Sequence, residues 1–554
     1  MQTPVLIVGA GPIGLALAGD LGYRGVPCML IERSDGQVIQ PKMDMVGVRT
    51  MEYCRRWGIV PWVHEAGYNR DYPQDCAWVT SLTGYEFGRE AFASPKDEKC
   101  PPQSPQKRER CPQNFFDPVL RRFAERSSLA TIVYHTELAG FTETEHGVTV
   151  RLRDVLSGEE RTVDAQYLVG SDGGASAVRQ ALGIAMTGEA TLTYTTNVVF
   201  RCKDLEALHD KKRAYRYIFI GPEGTWATLV AINGRDQWRF SLVGDATRQT
   251  HDEAYMRRAI VRAVGREFDF EILSMLPWVR RQLVADRYGT KRVFIAGDAA
   301  HLTSPTGGFG MNTGIQDAVN LSWKLAAVLQ GWGGEHLLGT YETEQRPVAI
   351  RNVAEATGNL KRMLSPRVMS PSAAIFDEGP EADAARIEFG NAYTELMKRE
   401  WFSIGIHLGY MYEGSPIIVP DGTPQPPDEV SSYVQTARPG SRAPHVWLEE
   451  GRSTLDLFGQ SFVLMCFGED RAGVDTLADA ARAVGMPFEI AHIDHAEARA
   501  LYERAFVLVR PDGQVAWRGD ALPEDARALI DTVRGAVARE AAGEPSGQEA
   551  QSEA

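Results

Sequence analysis

The chain has 554 residues, room for three or four lobes at roughly 150 residues each. Apolar residues make up 44% and charged residues 24%, ordinary globular values that exclude wholesale disorder. The 59 basic and 73 acidic side chains leave a net charge of −14, which argues against nucleic acid or an anionic membrane surface as the main partner.

No apolar run approaches the ~18 residues that span a bilayer; Ser461–Gly468 is among the longest. The start, MQTPVLIVGAG, enters an apolar strand at once, without a basic segment or a small-residue cleavage site. The 7 cysteines are an odd number with no CxxC pair, so neither a disulfide framework nor a zinc site is expected. His492-Ile-Asp-His495, the nearest thing to a metal cluster, reads as surface loop. These features predict a soluble cytoplasmic protein without a metal.

In chain order, Val5–Val8 reads as a buried strand, Gly11 to about Leu21 as a helix and Pro27–Ile31 as a second strand, together one βαβ unit. Residues 70–112, rich in Pro, Lys and aromatics, read as a lobe crossing or long ordered loop rather than core. Val148–Leu152 and Tyr167–Gly170 return the chain to a sheet. Tyr194–Arg201, Tyr215–Ile220, Trp226–Ile232 and Gln237–Val243 are spaced like an antiparallel sheet walling a second lobe. Residues 291–330 revert to strand, glycine-rich turn and long helix. Helical segments follow to about 413, then a linker-like stretch from Pro416 to Pro427. From about 437 a small α/β unit is predicted: strand Phe462–Phe467, helix Gly473–Val484, strands Phe506–Arg510 and Gln514–Arg518, and helix Glu524–Arg539. The last 14 residues have almost no large apolar side chain and read as a disordered tail.

Three motifs carry chemistry. Gly9-Ala-Gly11-Pro12-Ile-Gly14 follows a strand and opens a helix, the pattern that lays a dinucleotide pyrophosphate on a helix N-terminus. Glu32 closes the next strand, where a carboxylate accepts both ribose hydroxyls. The second motif, Gly170-Ser-Asp172-Gly173 with Ser176 and Arg179 behind it, serves equally as a plain strand-to-helix connection or as a ligand contact. In the third, an apolar strand delivers Asp298 at its carboxyl end, His301 reads as a structural hydrogen-bonder, and Pro305-Thr-Gly307-Gly308-Phe-Gly310-Met311-Asn312 forms a loop able to lie flat on a planar ring. The helix behind that loop points its N-terminus at the ring.

On these residues the chain resembles the group A flavoprotein aromatic hydroxylases, the family of 4-hydroxybenzoate hydroxylase and phenol 2-hydroxylase, over about residues 4–360. The resemblance implies an α/β protein. Its Rossmann-type FAD-binding domain (GR2-like) would comprise 1–75, 112–190 and 285–360. An α+β substrate domain with an antiparallel sheet would comprise 76–111 and 191–284. A helical segment and linker (361–435), a thioredoxin-like α/β domain (436–540) and the tail (541–554) would complete the chain. Pro439-Gly-Ser-Arg-Ala-Pro444 and Leu508–Arg518 carry the C-terminal part of the likeness.

The resemblance implies FAD as cofactor, NADPH or NADH as co-substrate, O₂, a small phenolic substrate and a homodimer. The reaction it implies is ring hydroxylation through a flavin C4a-hydroperoxide, in aromatic catabolism. The cofactor contacts implied are Gly9, Gly11, Pro12, Gly14, Glu32, Arg33, Lys42, Arg49, Gln113, Asp172, Gly173, Arg179, Asp298, Pro305, Gly307, Gly308, Gly310, Met311 and Asn312. Lys42 stands where the family usually has arginine. Asp44, five residues before Arg49, is the candidate catalytic base, since a phenolate activates its ring far better than a phenol; the plainer reading is a loop cap or ion-pair partner of Lys42. Tyr215, Tyr217, Trp226 and Trp238 are candidates for the substrate wall. Lys107–Arg110 and Lys211–Arg213 read as solvated basic faces or as anion contacts. The rival readings are a hydroxylase of a polyketide or antibiotic, a flavin halogenase or epoxidase, whose signature lysine and tryptophans are missing, and a non-catalytic flavin-binding module.

Overall fold

A computed structural model describes residues 1–244, 247–365, 370–468 and 472–538. The predicted tail at 541–554 lies outside the described residues. The first strand, Gln2–Val8, lies at the centre of a seven-stranded sheet. It pairs in parallel with Cys28–Ile31 on one side and with Glu160–Gly170 on the other, and Val293–Ile295 pairs in parallel with the latter. Strands covered on both faces need no polar alternation, hence the unbroken apolar run Val5–Val8. The register sets Val8 beside Ile31 and Gly170, and Gly170 beside Ile295. All three sequence motifs therefore leave the sheet at one edge, the carboxyl ends of parallel strands, where open α/β sheets bind ligands.

The second sheet has eight strands. It contains the four predicted in the second lobe, seen as Met186–Arg201, Arg216–Gly221, Gly224–Ala231 and Gln237–Val243, and a long strand, Glu271–Ala285, whose mixture of proline and arginine hid its alternation. The stretch 70–112 is no mere crossing loop. Cys76–Val79 and Glu86–Glu90 are strands of this sheet, and Trp78 is wholly buried. One face packs Phe219, Phe240 and Val198 under the helix Glu253–Val264. The opposite face, through Trp78, Ile218 and Ile220, meets the helices Thr340–Met363 and Pro380–Trp401.

The C-terminal unit is a four-stranded sheet in the order Phe488–His492, Phe462–Cys466, Phe506–Val509, Val515–Gly519. His492 is therefore the end of a strand rather than part of a loop, and the His495 side chain caps the helix Ala496–Tyr502 through the Ala498 amide. The stretch read as a linker is packed: Ile417 and Ile418 are buried, and the Val419 amide donates to the Ala516 carbonyl. Buried ion pairs fasten this unit to the nucleotide half. Arg510 bridges Glu344 at 2.6 Å, and Glu344 also takes Lys324 at 2.7 Å, all three side chains being wholly buried.

Candidate active site

The helix Pro12–Tyr23 begins without any side-chain cap, so its first amides face outward. Gly9 has φ +103°, and a Cβ on Gly14 would lie 1.9 Å from the Gly9 carbonyl oxygen. A Cβ on Gly11, by contrast, would meet nothing within 4 Å. Two glycines thus serve the turn and the third leaves room for a ligand. Glu32 is half-buried at the end of its strand. Its Oε2 accepts from the Ala10 amide at 3.0 Å and its Oε1 from the Ser34 amide at 2.9 Å. Arg33 points to solvent. Asp172 Oδ2 accepts from the Ala177 amide at 2.7 Å while its Oδ1 is buried without a partner. Gly173, φ +80°, borders open space. Arg179 ties this turn to the third motif by donating to the Ala299 carbonyl at 3.0 Å.

At the other end of the cleft, Asp298 is half-buried after its strand, and Gly307 and Gly308 take φ of +85° and +69°. Gly308 caps the helix Phe309–Leu329 without a side-chain bond, leaving its first amides free for negative charge. Asn312 is a tie rather than a free donor. Its Oδ1 accepts from the Gly47 amide at 2.8 Å and the Thr50 hydroxyl at 2.7 Å, and its Nδ2 donates to the Gly308 carbonyl at 2.8 Å. Met311 is buried, Gly310 packs on Thr303, and Pro305 is exposed at the rim. His301 holds Asp317 at 2.8 Å; Asp317 also receives the Gly297 amide, so this histidine shapes the turn before the loop. Open ground before Gly11, the unpartnered Asp172 oxygen and two uncapped helix starts fit a dinucleotide with a planar ring, as FAD has.

Asp44 lies next to Met45, whose side chain approaches Gly308. Its carboxylate, half-buried, accepts from the Tyr215 hydroxyl and from Arg239 at 2.9 Å, with Arg110 at 3.6 Å. Burial alone would raise its pKa, but Arg239 and Arg110 outweigh that and hold it below the ordinary carboxylate range. The same pairing, with burial, pushes the Tyr215 phenol well up. Lys42 is not the partner of Asp44. Its amide donates to Gln113 Oε1 at 3.1 Å, and its ammonium lies 5.8 Å over the Trp278 ring.

Four expectations need correction. Tyr217, Trp226 and Trp238 belong to the core on the far face of the eight-stranded sheet: Trp238 Nε1 donates to the Cys202 carbonyl and Trp226 lies under Arg262. Side chains alternate across a strand, so the arginines between these aromatics face the cleft instead. Arg49 is the fourth. Its nitrogens donate to Glu52, Tyr410 and the Asp512 carbonyl, which makes it a residue of the seam with the C-terminal unit, not a cofactor contact. In the basic clusters, the exposed Lys212 and Arg213 pair with the buried Asp75 and the partly buried Glu206, whereas Arg110 belongs to the Asp44 group.

Sequence reasoning missed Arg216, Arg239, Arg280 and Glu400. Arg216 pairs with Glu400 at 2.8 Å, and the Gly307 amide lies 3.4 Å from the same oxygen. The spacing Tyr215-Arg216-Tyr217 and Trp238-Arg239-Phe240 was the available signal: an arginine between two aromatics of a strand faces away from them.

Residues 2–356 match the FAD binding domain family and residues 436–539 the aromatic-ring hydroxylase C-terminal family. The 4-methyl-5-nitrocatechol 5-monooxygenase of a Burkholderia species is 32% identical, over 97% of this chain and 98% of its own. Tetracenomycin A2 monooxygenase-dioxygenase of Streptomyces glaucescens is 31% identical, over 99% and 98%. Among solved structures, RebC with bound 7-carboxy-K252c superposes with a TM-score of 0.90 at 38% identity, covering 97% of this chain and 100% of that one. The chain belongs to the FAD-dependent aromatic-ring hydroxylases. It is a flavoprotein monooxygenase with a thioredoxin-like C-terminal domain.

Proposed function

We propose that the protein hydroxylates a phenolic ring at the expense of NADPH or NADH and O₂, in aromatic-compound catabolism, as a cytoplasmic homodimer. FAD, when bound, takes the hydride and activates O₂, so that one oxygen atom enters the ring and the other leaves as water. The observation that carries the reading is the Asp44–Tyr215 pair beside the glycine loop. A substrate hydroxyl placed there donates to Asp44 or to the Tyr215 oxygen. A carboxylate held down by two guanidiniums does not take the whole proton from a phenol of pKa about 10. It strengthens the donated hydrogen bond and draws electron density into the ring as the new bond forms. Gly11, Gly173, Asp298 and Gly307 to Gly310 would border the nucleotide, and the Glu32 carboxylate would accept from its ribose hydroxyls. The walls exclude water, which otherwise diverts the reduced flavin and O₂ to H₂O₂.

A second reading, a polyketide or similarly extended aromatic as substrate, is supported by the 35% identity to a putative polyketide hydroxylase of Streptomyces halstedii, against 32% to the nitrocatechol enzyme. One experiment addresses both: NADH and NADPH oxidation with O₂ uptake and H₂O₂ yield, over phenols from one ring to several. Stimulation by a phenol with little H₂O₂ and a product heavier by one oxygen supports hydroxylation, and ring number decides between the readings. A purified protein without FAD overturns both.

A further inference from the structure

Arg280, on the strand Glu271–Ala285, is 6% exposed, yet its Nε and Nη1 are buried without an acceptor. The neighbouring guanidiniums on this face are both satisfied, Arg216 by Glu400 at 2.8 Å and Arg239 by Asp44 at 2.9 Å. A buried guanidinium whose donors meet no acceptor is costly, even with the Glu400 carboxylate near enough to be felt. Burial first, then repulsion from Arg216 and Arg239, outweighs the attraction of Glu400 and brings its pKa down to about 10, so it stays charged at neutral pH.

The surroundings of Arg280 are rich in donors. Its strand neighbour Thr193, and Thr195 two residues further on, have buried hydroxyls without partners, and so does the Trp278 indole nitrogen. Trp278 is on the same face of the strand as Arg280, the face that meets Lys42 and hence the Asp44 segment. Donors converging on a water-poor recess suit an anion, and the planar guanidinium fork suits a carboxylate, which it binds through two parallel hydrogen bonds.

We propose that Arg280 receives an anionic group of carboxylate type on the aromatic substrate, with Thr193, Thr195 and Trp278 completing its shell. This rests on the hydroxylase reading and narrows it: the substrate is a hydroxylated aromatic acid, bound by its hydroxyl at Asp44 and its anion at Arg280.

The test uses the FAD holoenzyme and three pairs of probes of growing length: 4-hydroxybenzoate and phenol, 6-hydroxy-2-naphthoate and 2-naphthol, 4'-hydroxybiphenyl-4-carboxylate and 4-hydroxybiphenyl. Binding is read from the perturbation of the flavin spectrum. At least one acid is expected to bind tenfold or more tighter than its neutral partner. In Arg280→Met that preference falls to within twofold, and in Arg280→Lys, which keeps the charge without the fork, it survives in part. Equal binding within every pair, no response to any acid, or a preference that persists in Arg280→Met overturns the proposal. The wild-type comparison decides even if the Met variant fails to fold. If neutral phenols are hydroxylated with no preference for acids, the Arg280 site falls and the hydroxylase reading stands. If no phenol stimulates NAD(P)H oxidation, the hydroxylase reading falls first.

Discussion

Glu52 and Arg442 stand 390 residues apart in the chain and meet as a buried ion pair, Arg442 Nε donating to Glu52 Oε2 at 2.9 Å. The same carboxylate takes Arg49 at 2.8 Å and the Ser104 hydroxyl at 2.6 Å. One side chain of the nucleotide half thus neutralises one arginine from each side of the seam. Removing one member of such a group strands the others, at a cost of about 3–5 kcal/mol. Glu52→Gln is expected to lower the unfolding free energy of the chain by that amount, read from the shift of the urea midpoint. Glu52→Gln with Arg442→Met should recover part of the loss; an additive double variant would show that the pair is not coupled.

The acid limit of this seam follows from the same carboxylate. Burial would raise Glu52, but Arg442 and Arg49 outweigh it and hold the pKa at about 2, against an ordinary 4.5. Its folded pKa is depressed, so its contribution is complete above about pH 4.5 and is lost as the pH falls towards 2. The stability gap between wild type and Glu52→Gln should narrow between pH 4.5 and 3 in urea titrations. A constant gap across that range would contradict the assignment.

At Asp44 the expected change concerns coupling rather than folding. Asp44→Asn keeps a hydrogen-bond acceptor but removes the charge that Arg239 and Arg110 face. A hydrogen bond to a charged group contributes about 1.5–3 kcal/mol, so phenol turnover should fall about ten- to a hundredfold. The share of reduced nucleotide ending as H₂O₂ should rise, measured by peroxide assay beside product yield. Unchanged coupling would remove Asp44 from the reaction.

Gly11 and Gly14 separate ligand space from backbone packing. An alanine methyl at Gly14 lies 1.9 Å from the Gly9 carbonyl oxygen, and one at Gly11 meets no atom of the chain within 4 Å. Gly14→Ala should lower the melting temperature and lose FAD together. Gly11→Ala should lose FAD, read from its visible absorbance, while the apoprotein melts as the wild-type apoprotein does. Full flavin retention in Gly11→Ala would show that the pyrophosphate lies elsewhere.

The nucleotide end of the site was legible in the sequence because its signals are local: a glycine that must turn, a helix start left uncapped, an apolar strand that ends in an acid. The register of four parallel strands then brought three distant motifs to one edge, which no single motif states. The substrate end was legible only in part. Asp44 was a candidate only through the family resemblance, and the aromatics of the second lobe were assigned to the wrong face, since period two tells which residues share a face and not which face meets the cleft. Arg280 gave no signal at all, because the strand around it breaks the apolar alternation. Glu400 comes from a helix far along the chain, and only tertiary packing sets it beside Gly307.

The seam also bears on the order of assembly. Glu52 and Glu344 both belong to the nucleotide half, but their guanidinium partners Arg442 and Arg510 come near the end of the chain. During synthesis the first half therefore emerges with Glu52 and Glu344 paired only to Arg49 and Lys324, and each gains its second cation when the last domain has been made. A nascent chain cut short before that domain would keep the glycine motifs for the cofactor and lack the charges that let the surrounding core close. A late nonsense mutation is therefore expected to weaken cofactor loading although it leaves every glycine of the dinucleotide motif in place.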